Sequence, residues 1–166
     1  MELLAKSSFS FLRGSSSPEA LVRRAAELGH RTLGLIDHMG FYGSARAHAE
    51  AQKVGIKALV GATLENVSQF SNLTILNKSR SGYQNLSRLL TTLHCEQLVN
   101  QPLETDLTGM HAVLTPESLQ NPTKAQLLSA ATELRDRFEP GNVSIALFRN
   151  FRRGEEKRNR LFSDLA

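Results

Sequence analysis

An apolar run, Leu33-Gly-Leu-Ile36, stops abruptly at Asp37 and His38. In α/β sheets functional groups gather where strands end and loops begin. An Asp-His pair at a strand's exit is therefore a candidate site. The plainer alternative is that Asp37 caps the following turn and His38 is an ordinary loop residue. A second candidate follows Gly61-Ala62, where Thr63-Leu-Glu65 could project another site residue. Glu65 shares the face of Thr63 if the strand continues that far, because side chains alternate along a strand.

The remaining chemistry-bearing residues offer less. His94 adjoins Cys95, but one His and one Cys do not make a zinc site, and no Cys-x-x-Cys occurs anywhere. His48 sits among Arg46, Glu50 and Lys53 and reads as solvated or groove-facing. His30 follows a helix-ending Gly29, where a cation suits the dipole, and His111 opens a strand. Arg149, Arg152, Arg153, Lys157, Arg158 and Arg160 form a basic cluster diluted by Glu155 and Glu156. Such a cluster could track a phosphate backbone or simply be a solvated helix face, and no aromatic platform accompanies it.

Strand-like and helix-like segments alternate to position these groups. Glu2 to Ala5 is a short strand, followed by the serine-rich loop Ser7 to Ser17 with its two phenylalanines. Ser17 then caps a helix with Pro18 at its first position and Leu21, Val22, Ala25 and Leu28 on its apolar face. The strand Thr32 to Ile36 follows, then a helix from Gly43 or Ser44 to Lys53, closed by Gly55. Ile56 to Val60 and Leu73 to Leu76 read as strands, and Ser79 to Gly82 as a turn. Tyr83, Leu86, Leu90 and Leu93 recur at helical spacing. After a polar loop, the pattern predicts a strand at His111 to Thr115, then a helix carrying Leu127, Ala131, Leu134 and Phe138. A strand from Val143 to Phe148 and a helix from Glu155 to Ala166 complete the series. This order implies an α/β fold with mainly parallel strands and crossover helices. Periodicity leaves open whether the sheet closes.

Composition bounds the rest. The 166 residues are 40% hydrophobic and 22% charged, enough to bury one core. A formal charge of +4 permits nucleic-acid contact without requiring it. With a single cysteine there is no disulfide partner within the chain, and a reducing compartment fits. No signal peptide or transmembrane run is present, so the expectation is a cytoplasmic protein with no membrane partner.

Three segments carry a resemblance: residues 2–21 with their Ser-Phe-Leu-Arg-Gly run, Leu35-Ile-Asp-His-Met-Gly-Phe-Tyr-Gly43, and Gly55-Ile-Lys-Ala-Leu-Val-Gly-Ala62. Together with Ser81-Gly-Tyr-Gln-Asn-Leu86 they resemble the PHP (polymerase and histidinol phosphatase) domain of bacterial DNA polymerase III α subunits, nearest the error-prone branch. The resemblance implies the amino-terminal part of a distorted (βα)7 barrel, with residues 1–166 forming one domain incomplete at its carboxyl end.

Active members of that family hold zinc, manganese or iron with histidines on the first strand, a loop acid, a Thr-Asp-His run, a Glu after Gly-Ala, and later His and Asp residues. Adjacent cations of this kind activate a bridging water and clamp phosphate oxygens. Here the corresponding positions align with Leu4, Lys6, Arg13 and Thr63, and a later His with Asn150, so only Asp37 and His38 match. Lys6 and Arg13 would repel a divalent ion, and Glu65 is the one acid that could stand in. The resemblance thus implies a structural scaffold with a degenerate metal site, packed against a polymerase core of the same or a related chain, with no cofactor. Two alternatives remain: a metal-dependent phosphoesterase or 3'-5' exonuclease using Asp37, His38 and Glu65 with zinc, manganese or iron, and a basic DNA-binding module centred on Arg149 to Arg160.

Overall fold

The computed structural model describes residues 2–96, 103, 105–148 and 153–164. Among them six strands and five helices run in the order β1 (Glu2–Ala5), α1 (Pro18–Glu27), β2 (Thr32–His38), α2 (Ser44–Val54), β3 (Lys57–Val67), β4 (Phe70–Asn77), α3 (Arg80–Glu96), β5 (Met110–Leu114), α4 (Lys124–Arg137), β6 (Val143–Ile145) and α5 (Glu155–Ser163). The strands lie side by side in sequence order, forming one sheet that curls into a half-barrel. β1 with β2, β2 with β3, and β5 with β6 are parallel. β4 runs against both of its neighbours.

β3 and β4 depart most from the periodicity. The strand expected to end at Val60 continues seven residues further, to Val67, and β4 starts at Phe70 instead of Leu73. The cause is a hairpin: Val67 pairs with Phe70, and Asn66 and Ser68 both adopt positive φ, at 53° each. Residues 61–67 lack the uniform apolar run of a doubly covered strand because their faces differ. Ala62 and Leu64 are buried against the helical layer, whereas Thr63 and Glu65 face the inside of the curl.

Three apolar clusters hold the sheet. β3, β4 and β5 pack their outer faces on Leu86, Leu89, Leu90 and Leu93 of α3, Leu127, Ala130 and Leu134 of α4, and Phe162 of α5. Leu33 and Leu35 of β2 pack on Val22 and Ala25 of α1 and Ala47 and Ala51 of α2. Ile36, Leu76 and Val113 make a small cluster within the curl, joined by Leu3, Leu4 and Ala146. Burial at this scale dominates folding stability, so the sheet and its helices form a rigid frame for groups at the strand ends.

Helix ends follow their capping residues. Ser17 accepts the Ala20 N–H at 3.2 Å ahead of Pro18, as its sequence position predicts. Thr123 and Gln126 form a capping box that starts α4. The turn expected at Ser79 to Gly82 is instead the first turn of α3, with the Gly82 N–H donating to Ser79 Oγ at 3.1 Å. Gly82 is needed there for space: a Cβ would lie 2.0 Å from the Gly109 carbonyl oxygen.

Candidate functional site

Asp37 and His38 are the last two residues of β2, paired in register with Ala62 and Thr63 of β3. Alternation sends their side chains in opposite directions, and their environments differ accordingly. Asp37 points into the protein and is 1% exposed. Oδ1 accepts the Ser7 N–H at 2.8 Å and the Ser10 hydroxyl at 2.7 Å. The Ser7 hydroxyl lies 2.8 Å from both carboxylate oxygens, and Oδ2 accepts the Gly43 N–H at 2.9 Å. One buried carboxylate thus gathers the serine-rich loop and the entry to α2, satisfying the rule that buried charge needs several partners. Ser10 Oγ in turn accepts the His38 N–H at 3.0 Å.

His38 faces the other way, into the mouth of the curl. Its Nε2 lies 3.1 Å from Glu65 Oε2, and Glu65 Oε1 accepts Arg13 at 3.0 Å. Arg13 also reaches Asn72 Oδ1 at 3.5 Å. Arg13 and Glu65 remain 35% and 37% exposed, so this is a partly solvated pair of modest strength. Burial pushes the His38 imidazole below its ordinary pKa; Arg13 adds to that, Glu65 opposes it, and Lys6 reinforces it. Geometry gives the same answer. Nε2–H donates to Glu65, and Nδ1 is buried with no hydrogen-bond partner, so a second proton would find no acceptor. Burial likewise pushes the Lys6 ammonium below its usual pKa, with Glu117 opposing and Arg13 adding to the shift.

These contacts decide whether the donor set fits a metal cluster. The Asp37 oxygens are already engaged by four donor groups, from Ser7, Ser10 and Gly43. His38 is engaged by Glu65, whose other oxygen holds Arg13. A unit charge about 4 Å from another costs or gains about 4 kcal/mol at the effective dielectric near a protein surface, and a divalent ion doubles that figure. A divalent ion beside His38 would have to displace Arg13 from Glu65 and tolerate Lys6. The residues present do not fit such a cluster. Among the described residues, no group of three or more His, Cys, Asp or Glu side chains is placed to hold a metal ion.

The structure therefore separates Asp37 from the other two candidates. It brings His38 and Glu65 together with Arg13, while Asp37 serves the loop behind them. Sequence reasoning did not identify Ser7, Ser10 and Gly43 as the partners of Asp37, although the density of serines before Ser17 was a visible signal. Asn72 and Glu117 come to the site from β4 and the loop after β5, which nothing local in the chain announces.

The other titratable residues have local roles. His94 Nε2 lies 2.7 Å from the Met39 carbonyl oxygen, tying α3 to the turn after β2. His111 Nε2 lies 2.9 Å from Ser144 Oγ across β5 and β6. His48 is exposed beside Gln52, at 3.3 Å, and Cys95 is a free, exposed thiol. Lys157 and Arg158 lie in the first turn of α5 and Arg153 in the turn before it, whereas Arg149 and Arg152 fall outside the described residues. No helix among the described residues is long and apolar enough to cross a membrane.

Comparison with known proteins fits this frame. An error-prone DNA polymerase from Anaeromyxobacter sp. strain K is 49% identical over 98 residues, covering 57% of this chain and 9% of that protein. An error-prone DNA polymerase from Mycobacterium bovis is 31% identical over 188 aligned positions, covering 99% of this chain and 17% of that protein. The chain thus spans less than a fifth of the curated relatives it matches here. In fold it is similar to an amidohydrolase from Chromobacterium violaceum solved with sulfate and no metal, at a TM-score of 0.62 and 15% identity, over 87% of this chain and 75% of that one. The PHP domain profile matches residues 2–144, which takes in every strand but the last residue of β6, together with the Asp37, His38 and Glu65 positions. By that match, and with the curled α/β sheet it requires, the chain belongs to the PHP domain family.

Proposed function

We propose that this chain is a PHP-type domain serving as a structural scaffold within an error-prone DNA polymerase III α-like protein, packed against the polymerase core of the same or a related chain. It carries out no phosphoester hydrolysis of its own, and its role in replication or translesion repair is to hold that larger enzyme together. The observation that supports this reading is the chain of contacts from His38 to Glu65 to Arg13, with Lys6 alongside, in the mouth of the sheet. Protein cations stand there in place of metal ions, and the first-strand and loop positions that would supply ligands carry Leu4, Lys6 and Arg13. Arg13 then does mechanically what a bridging metal would do, linking the serine-rich loop to β3 and β4.

The reading is tested by elemental analysis of protein purified without chelator, alongside thermal melts with and without EDTA. Metal at background and an unchanged melting temperature are the expected results. Stoichiometric zinc, manganese or iron, lost in His38→Ala, would overturn the scaffold reading in favour of a metal-dependent phosphoesterase or exonuclease.

A further inference from the structure

α5 carries Lys157, Arg158 and Arg160 within four residues, and its surroundings make it more than a solvated face. A cleft of ≈ 770 Å³ opens between this helix and the turn at Asn121 and Pro122, with Arg153, Lys157, Arg158 and Arg160 on its walls. Those four cations outnumber the two lining carboxylates, Glu156 and Asp164. Arg160 is paired with Glu156 at 2.6 Å, but both side chains are largely exposed, and such pairs hold too weakly to withhold a cation from a phosphate. No ion pair among the described residues engages Arg153, Lys157 or Arg158.

We propose that this cleft binds the phosphodiester backbone of duplex nucleic acid, with Arg153, Lys157, Arg158 and Arg160 contacting successive phosphates. The chemistry selects backbone over bases. No aromatic side chain lines the cleft, so there is no platform for stacking, whereas several cations on a concave wall are what phosphate contact requires. From Lys157 to Arg160 the helix rises about 4.5 Å, little more than one nucleotide step along a duplex strand. A membrane surface is disfavoured by the same helix. Its two large apolar residues both pack on the main core, Phe162 fully buried and Leu161 partly so, which leaves no broad apolar face to insert into lipid. This site is remote in sequence from the His38–Glu65 pair and does not depend on whether that pair binds metal.

The test is fluorescence anisotropy of a labelled mixed-sequence DNA duplex titrated with the full 166-residue chain at several salt concentrations. The logarithm of affinity should fall linearly with the logarithm of salt. The triple variant Arg153→Glu, Lys157→Glu, Arg158→Glu should lose at least about tenfold in affinity and flatten that slope by about two to three, since each phosphate contact contributes about 0.9. A control with the same charge change elsewhere, Arg31→Glu, Arg80→Glu, Arg135→Glu, should keep most of the slope. Should the first triple melt early, alanines at the same three positions give the same comparison. Equal loss in both variants would reduce the effect to net charge and overturn the site, as would unchanged binding in the first. Binding of the parent chain to phosphatidylserine vesicles but not to duplex would also overturn it.

Discussion

A histidine whose pKa is lowered by burial is a stability statement as much as a chemical one. The His38 pKa lies below its ordinary 6.5 when folded, chiefly through burial, and His111 is shifted the same way by burial and by Lys78. As pH falls through about 6.5 the unfolded chain takes up protons that the folded chain refuses, so stability is lost on acidification from that point down. This window lies above the carboxylate range, where Glu50, held below its usual pKa by Lys53 and Arg23, has yet to titrate. Urea unfolding at pH 7.5 and 5.5 should show the drop, and His38→Gln should make it smaller while His111 sustains the remainder. An unchanged difference between the two pH values in the variant would mean that His38 titrates freely in the folded chain.

At the scale of elements, the turn between β2 and α2 is held by two sets of contacts. Asp37 takes the Gly43 N–H from one side, and His94 of α3 meets the Met39 carbonyl oxygen from the other. Phe41 stacks on Tyr83 at 4.8 Å between them. Gly43 has an ordinary φ of −89°, so alanine there carries no backbone strain, but Gly43 is the N-cap of α2, a position where glycine is preferred over alanine. Packing acts in the same direction. A Cβ would lie 2.7 Å from Asp37 Oδ2, 2.8 Å from Pro18 Cγ and 2.9 Å from Leu35 Cδ2. Gly43→Ala is therefore expected to destabilise by about 1–3 kcal/mol, as overpacking does, measured as a lower urea midpoint at unchanged m-value. A stabilised variant would show that the Asp37 clamp yields easily, and with it the placement of His38.

At the scale of the whole molecule, the curled sheet leaves β1 and β6 each paired on one side only among the described residues. The concavity within the curl is ≈ 920 Å³, with Leu3, Leu4, Leu76, Val113, Ile145 and Ala146 among its apolar walls. Leu147, just past β6, is 45% exposed. Unpaired edges beside apolar surface favour pairing with another chain, and a lysine at an edge opposes it. Sedimentation velocity of this chain should show association that grows with concentration, and Leu147→Lys should reduce it. A monomer at every concentration would mean that these edges are protected within the chain itself.

Local chemistry determined much of this protein before any contact was known. The Ser17-Pro18 helix start, the leucine spacing of α3 and the apolar run of β2 are governed by capping, helical period and burial, which act within a few residues. That Lys6 and Arg13 bring positive charge to the first strand's exit and the serine-rich loop was also legible, because it is a matter of residue type. The tertiary structure alone decided the rest. That Asp37 turns inward to Ser7 and Ser10 while its neighbour turns outward to Glu65 depends on the strand continuing to His38 and on which side of the sheet each alternating residue meets. The long β3–β4 hairpin, and with it the place of Glu65, depends on two positive-φ residues and on pairing partners in β5. Those pairings join groups distant along the chain, and their energy comes from desolvation and charge that exist only once the chain has closed on itself.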